Sequence, residues 1–434
     1  MKKQLLILPF LLILPLTSCM NDTAKIEQTT LTGNIKDALT STDPISSTGD
    51  ANILVIPLNL DSTFDEASLN KLNLALNGTQ KETGYYSFKE YINISSYNKL
   101  NVSFTTLNPI SSSYIISDYE DLVKDTVKSI KDVDCPNFDK DNDNIIDSIY
   151  FVYKSSSSNY TYSDRFKNNF TKYVSESIPN TQYKTGNVSF VDYDTIESKY
   201  ESYYETKNLK ADCHELVHQF GYVLGLVDEC DFRDLSGSTG LYNTTMMSGI
   251  SGDFSSSDKI LLGWANTYVC SGKYNVKDEI SSFETSGDVI LWSNHTLTSI
   301  FDEYLTFDIY SNELLNKDQR VKTVKENETF YVMKVTKVNN LLNTNANGKI
   351  VSKEKEFDSS AFKYDNSGCG QRLKIKLKKD YDPTVDFTKT FFYLSGEGSF
   401  YSEMFESSNT IPSITFSFLS VDDDTKKSTI SLTL

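Results

Sequence analysis

The rhythm of apolar and polar positions changes four times along the chain. Leu5 to Leu16 is an apolar run interrupted only by Pro9 and Pro15, behind the basic pair Lys2 and Lys3. Such a run is too short for a permanent bilayer span and reads as the core of a signal peptide, residues 1–18. From Met20 to Asp50 the chain is Thr/Ser-rich and weakly periodic, which predicts a flexible tether over 19–49. Asn52–Leu58 (NILVIPL) is short, apolar and rich in β-branched residues, the pattern of a buried strand. Mixed helix and strand patterns continue to about Asn275. Beyond it come short Val/Ile/Phe/Tyr/Thr runs such as Phe330–Val335, Leu373–Leu377 and Ile414–Phe418, punctuated by Gly, Asn and Asp. They predict a β-rich, sandwich-like domain over 276–434 after a first domain over 50–275. The expected class is α+β, with no solenoid repeat.

The compartment follows from the end of the first run. Leu16-Thr17-Ser18-Cys19 looks like a bacterial lipobox, so Cys19 is the expected lipidation site. The alternative is an ordinary secretory signal with an incidental cysteine. The chain is then expected on the outer face of the cell membrane, held by acyl chains alone. With 434 residues, two or three domains are expected. Its 42 Lys+Arg against 59 Asp+Glu give a formal charge of −17, which disfavours nucleic acid and suits divalent cations or basic partners. Five further cysteines, Cys135, Cys213, Cys230, Cys270 and Cys369, contain no CxxC and match no disulfide framework. Cys213 and Cys230 flank one helix and are a candidate pair.

That helix carries the main chemical signal. His214-Glu215-Leu216-Val217-His218 is an HExxH in a chain with three histidines. On a helix, positions i and i+4 share a face, so two imidazoles can hold one zinc while the glutamate takes a proton from the metal-bound water. The bland reading is a helix whose histidines fall four apart by chance.

Other segments fall in a recognisable order. They are Ser95–Leu100 (SSYNKL), Asp139–Asp147 (DKDNDNIID), Met246-Met247 with Lys259–Trp264 (KILLGW), Phe301–Leu305 (FDEYL) and Lys363–Asn366 (KYDN). Together with the histidine helix they resemble the M6-type, immune-inhibitor-A-like metallopeptidases, in their bacterial lipoprotein branch. The family counterparts read SSYGKL, DxNxDGxID and MM…KxxLGW. The resemblance implies a zincin-like first domain, a Zn²⁺ cofactor and hydrolysis of extracellular proteins or peptides.

The family's HExGHxLGLxDxY fits this chain in two registers. Without gaps, on Leu224-Gly225-Leu226 and Asp228, its first His falls on His218, its Glu on Gln219 and its second His on Tyr222. With four residues inserted after His218, His214, Glu215 and His218 take the first half and Asp228 the end. In that register Val217 replaces the motif's Gly and Cys230 its Tyr. The insertion is about one helical turn, so a helix can absorb it. Gln cannot accept the water's proton, and Tyr is a poor zinc ligand near neutral pH. The gapped register is therefore the expectation: His214 and His218 on zinc, Glu215 as base, Asp228 as third ligand. The competing class is an inactive relative that binds peptides or glycans at the surface.

A second metal signal lies in the acidic segment. Asp139, Asp141, Asp143 and Asp147, with the Ile145 carbonyl, match positions 1, 3, 5, 9 and 7 of an EF-hand-like Ca²⁺ loop. Asn144 stands at the glycine position and Tyr150 at the usual bidentate glutamate, which predicts modest affinity. An acidic solvated turn is the alternative. His295, in a polar turn, is expected at the surface, and Met246-Met247 either underlies the metal or belongs to the core.

Overall fold

The computed structural model describes residues 26–38, 44–130, 133–154, 168–197, 209–229, 245–271, 276–293, 295–317, 329, 331–339, 373–374, 391–392, 397–400, 414–422 and 424–433. Cys19, Cys230, Cys369 and Lys363–Asn366 lie outside them. Helices and mixed sheets share the chain, so the class is α+β. No helix among the described residues is long and apolar enough to cross a membrane.

The chain begins with β1 (Glu27–Gln28) and a single helical turn, α1 (Ile35–Ala38), before β2 (Gly49–Asn59). Strands β3 (Leu100–Thr106), β4 (Ile110–Ser111), β5 (Ile145–Lys154), β6 (Phe170–Tyr173) and β7 (Lys184–Asp192) complete the first sheet. Its order is β3-β2-β5-β7-β6, with β4 beside β2; β6 alone runs antiparallel. In β2, Ile53 and Val55 enter one core while Leu54, Ile56 and Leu58 enter another. A parallel sheet covered on both faces needs such an unbroken apolar run, which is why NILVIPL shows no alternation. Helices α2 (Glu66–Asn77) and α3 (Phe88–Ser95), and the histidine helix α4 (His214–Val223), cover one face. Asp65 and Ser87 cap the first two by accepting from the Ser68 and Glu90 amides.

The later half is two sheets. Strands β8 (Asn266–Ser271), β10 (Asp288–Ser293), β11 (Glu303–Ser311) and β12 (Tyr331–Asn339) form one, joined by the short strands β13 (Leu373–Lys374) and β14 (Phe391–Phe392). The other is β15 (Glu397–Phe400), β16 (Ile414–Val421), β17 (Ser428–Thr433) and β9 (Val276–Ile280). Trp292, Phe307 and Met333 of the first meet Phe418, Ile430 and Leu432 of the second, a sandwich core. The opposite face of the larger sheet, through Val289, Leu291, Tyr304 and Val338, belongs to the same core as the histidine helix. One continuous core therefore crosses the boundary near residue 275.

Part of the segment expected as a tether is built into the fold. β1 pairs with β8, Thr32 bridges Ser299, and Leu31 and Ile35 are buried. Each such side chain contributes about 1.5–3 kcal/mol when fully covered. Gly33, at φ 112°, lets the strap close on Ile300; a Cβ there would lie 2.9 Å from that side chain.

Candidate functional site

Asp212 starts α4 by accepting from the His214 amide at 2.8 Å and from His214 Nδ1 at 2.7 Å. Leu216, Val217, Phe220 and Val223 drive its burial. The helix stops at Leu224-Gly225: Gly225 takes φ 91° and the Leu226 amide donates to the Gly221 carbonyl at 2.8 Å. The helix runs five residues past His218 before this stop, room for the extra turn that the gapped register requires.

The motif residues fall into two groups. His214 is buried, its ring stacked on Tyr85 with centroids 4.6 Å apart. Glu215 is buried and accepts from Gln219 Nε2 at 3.0 Å; Thr171 Oγ1 on β6 donates to Gln219 Oε1 at 2.9 Å. Around His218 a different set assembles. Its Nδ1 meets the Met246 carbonyl at 3.0 Å, its Nε2 the Tyr222 hydroxyl at 3.1 Å, and Asp228 Oδ1 lies 3.6 Å from that Nε2. The Tyr222 hydroxyl donates to Asp228. A carbonyl only accepts, so Nδ1 carries a proton. Nε2, the nitrogen that a histidine offers to a metal, faces the Tyr222 hydroxyl and Asp228 instead.

The structure brings part of the expected zinc set together: His218 and Asp228. Asp228 joins His218 and Tyr222, not His214. Among the described residues, His214, His218 and Asp228 are not gathered into a metal-sized group; the one set of His, Cys, Asp or Glu ligand atoms within 4.8 Å of one another is Asp139, Asp141 and Asp147. The positions that meet are those of the ungapped register: His218, Tyr222 and Asp228. Gly221 agrees with it, since a Cβ at Gly221 would lie 2.4 Å from Met247 Sδ. The motif's glycine falls there in the ungapped register and on fully buried Val217 in the gapped one.

Glu229, which sequence reasoning missed, fixes the neighbourhood of Asp228. It is buried and accepts from Thr245 Oγ1 and Ser255 Oγ, each at 2.5 Å, while its amide donates to Met247. An acidic residue beside another carries no signal until the burial is seen. Cys213, the candidate disulfide member, is a free buried thiol donating to the Tyr86 carbonyl at 3.1 Å; burial pushes it well above its ordinary range.

The distant motifs converge. Ser95 Oγ donates to Asp253, whose Oδ2 pairs with buried Lys259 Nζ at 2.6 Å; that ammonium also donates to Tyr97 at 3.0 Å. Lys99 donates to the Trp264 carbonyl at 2.6 Å, and Trp264 Nε1 to Ser47 at 2.7 Å. SSYNKL and KILLGW thus pack against each other. Asn98 and Asn144, standing where the family has glycine, take φ 60° and 68°, left-handed conformations that glycine adopts freely and asparagine tolerates.

In the acidic loop, Asp139 accepts from the amides of Asp143 and Asn144 at 3.1 and 3.0 Å. Asp143 instead accepts from the Ile145 amide at 2.7 Å and stays outside the triad, so positions 1, 3 and 9 converge and position 5 does not. Ile145 opens β5. Burial pushes Asp147 up to about 7. Asp141, which burial pushes up, is held below its ordinary value by Lys36 Nζ at 2.5 Å. Tyr150, at the last loop position, points away and donates to Leu216 of α4 at 2.9 Å. His295 sits between Ser293 Oγ at 3.0 Å and Asp302 Oδ2 at 2.9 Å, but Ser293 is fully buried, so this Ser/His/Asp row offers no exposed nucleophile. A scan against family models finds no match, and a search of curated proteins returns none.

Proposed function

We propose that this chain is an M6-like pseudopeptidase, an exported lipoprotein with a zincin-like domain that binds peptide segments at the cell surface without cleaving them. The observation that carries the reading is the Tyr222 hydroxyl between His218 and Asp228, with Gln219 at the position of the motif's base. A neutral amide cannot take a proton from water, and a hydrogen-bonded phenol with its proton replaces a metal ligand. The convergence of SSYNKL with KILLGW, and the left-handed Asn98 and Asn144, support the family resemblance. Beside Gln219 runs β6, the last strand of its sheet, with Lys172 and Tyr173 exposed. An edge of that kind offers main-chain groups to an extended peptide. Ca²⁺ is assigned to the acidic loop as a structural ion, held by Asp139, Asp141 and Asp147.

The test is metal analysis of the purified ectodomain after zinc resupply, with a protein substrate. No stoichiometric zinc and no cleavage are expected. Stoichiometric zinc, together with proteolysis that disappears in Glu215→Gln, overturns the reading and restores the peptidase.

A further inference from the structure

We infer that the body is held against the bilayer on a short leash, with the β8–β9 edge of the sandwich as its membrane-facing surface. The inference rests on the lipoprotein reading of Cys19. An unstructured tether over 19–49 would reach on the order of 100 Å at full extension. The strap shortens it. The Ile26 amide donates to Asp278 Oδ2 at 3.1 Å, β1 pairs with β8, and the Thr29 amide donates to the Thr267 carbonyl at 2.8 Å. Thr32 of the strap donates its amide to the Thr298 carbonyl at 2.8 Å and accepts from the Ile300 amide at 2.9 Å, and Ile35 is buried in the shared core. Lys36 then grips Asp141 at the start of β5. From Cys19 to Ile26 the chain has seven Cα steps, about 25 Å when extended.

The surface at the strap's entry is Ile26, Tyr268 and the exposed residues Lys277 and Glu279 around Asp278. It therefore lies within a leash length of the headgroups. The crevice lined by Leu60, Ser113, Tyr114 and Tyr153 opens at the other end of β5 from Asp141, about 30 Å along the strand. That end is the one farther from the strap's contact with Asp141.

The experiment uses the full lipidated chain on phospholipid vesicles carrying a photoactivatable headgroup, with labelled peptides mapped by mass spectrometry. Labelling is expected on peptides holding Lys277–Glu279 and not on those holding Ser112–Ile116. A thirty-residue Gly/Ser insertion between Asp22 and Thr23 lengthens the leash about fivefold and should lower the labelling of Lys277–Glu279 about tenfold, as effective concentration falls with the −3/2 power of length. Equal labelling of both peptides in the unmodified chain, or labelling unchanged by the insertion, overturns the inference. Flotation with the vesicles reads the anchoring separately: a Cys19→Ala chain that still floats sinks the lipoprotein reading itself.

Discussion

The histidine helix and the acidic loop both announce a metal in the sequence, and the structure treats them oppositely. In the loop, carboxylates from positions 1, 3 and 9 meet within 4.8 Å. On the helix, the two histidines that share a face take separate partners: Asp212 and Tyr85 for His214, Met246 and Tyr222 for His218. The difference lies in what surrounds each motif. A loop of alternating acids folds around a cation by itself, because all its ligands are local. An HExxH supplies two ligands and leaves the third to a distant residue, so its meaning depends on tertiary structure. Here tertiary structure delivers Asp228 to His218 and leaves His214 with Asp212.

The largest effect comes from rewriting the helix so that it resembles the loop. Gln219→Glu with Tyr222→His should create a zinc site on His218, the new histidine and Asp228, binding on the order of a thousandfold tighter than the unmodified chain. Titration with a zinc-competing chromophore reads it. If the double variant binds no better, or the same gain follows from changes at His214, the ungapped register is wrong.

Next in size is calcium at the loop. Ca²⁺ at a hundredfold excess over its Kd should stabilise the fold by about 2.7 kcal/mol, seen as a higher Tm, and Asp141→Ala should remove the rise. The pH dependence has a definite sign. Asp147 is raised from its ordinary value of 3.8 to about 7 by burial, so the stability it contributes is present below 3.8 and lost as pH rises through 7. At pH 8 the loop holds its full negative charge and gains most from a cation; at pH 5 calcium must displace a proton. The calcium-induced rise in Tm should therefore be larger at pH 8. An equal rise at both values would remove Asp147 from the site.

The same contrast explains how much of the fold was legible. β2 and the sandwich strands follow from local runs, and Asn144 in a left-handed turn follows from one residue type. The register of the helix does not, because His214/His218 and His218/Tyr222 have the same spacing of four. Gly221 was the available signal: a glycine inside a helix at 0% exposed Phe220 and Val223 marks a close approach, here Met247. The strap was missed because Leu31 and Ile35 are isolated apolar residues in a polar stretch, and what covers them lies far along the chain.

Gly221→Ala sharpens the comparison from the packing side. The added methyl must push Met247 Sδ from 2.4 Å, disturbing the turn whose Met246 carbonyl orients His218. Overpacking of this kind costs about 1–3 kcal/mol. Substitutions at Asp143, outside the loop's triad, should by contrast cost only its turn hydrogen bond. A Gly221→Ala chain with unchanged Tm would mean that Met247 yields freely and that the helix is not fixed by its glycine.

The smallest effect is the most specific. Tyr222→Phe keeps the ring, which meets His218 with centroids 5.0 Å apart, and removes only the hydroxyl joining His218 to Asp228. If the three residues form one hydrogen-bonded unit, the loss should be about 1 kcal/mol by denaturant unfolding. Asp228→Asn removes the same unit from the other side by discharging the acceptor. The two changes share one interaction, so the double variant should lose less than the sum of the single losses, with a coupling on the order of 1 kcal/mol. In the gapped register Tyr222 is a bystander on an inserted turn, and the losses should add. Additivity within a few tenths of a kcal/mol would show that the hydroxyl only borders the site, and the case that a phenol has taken the metal's place would fall with it.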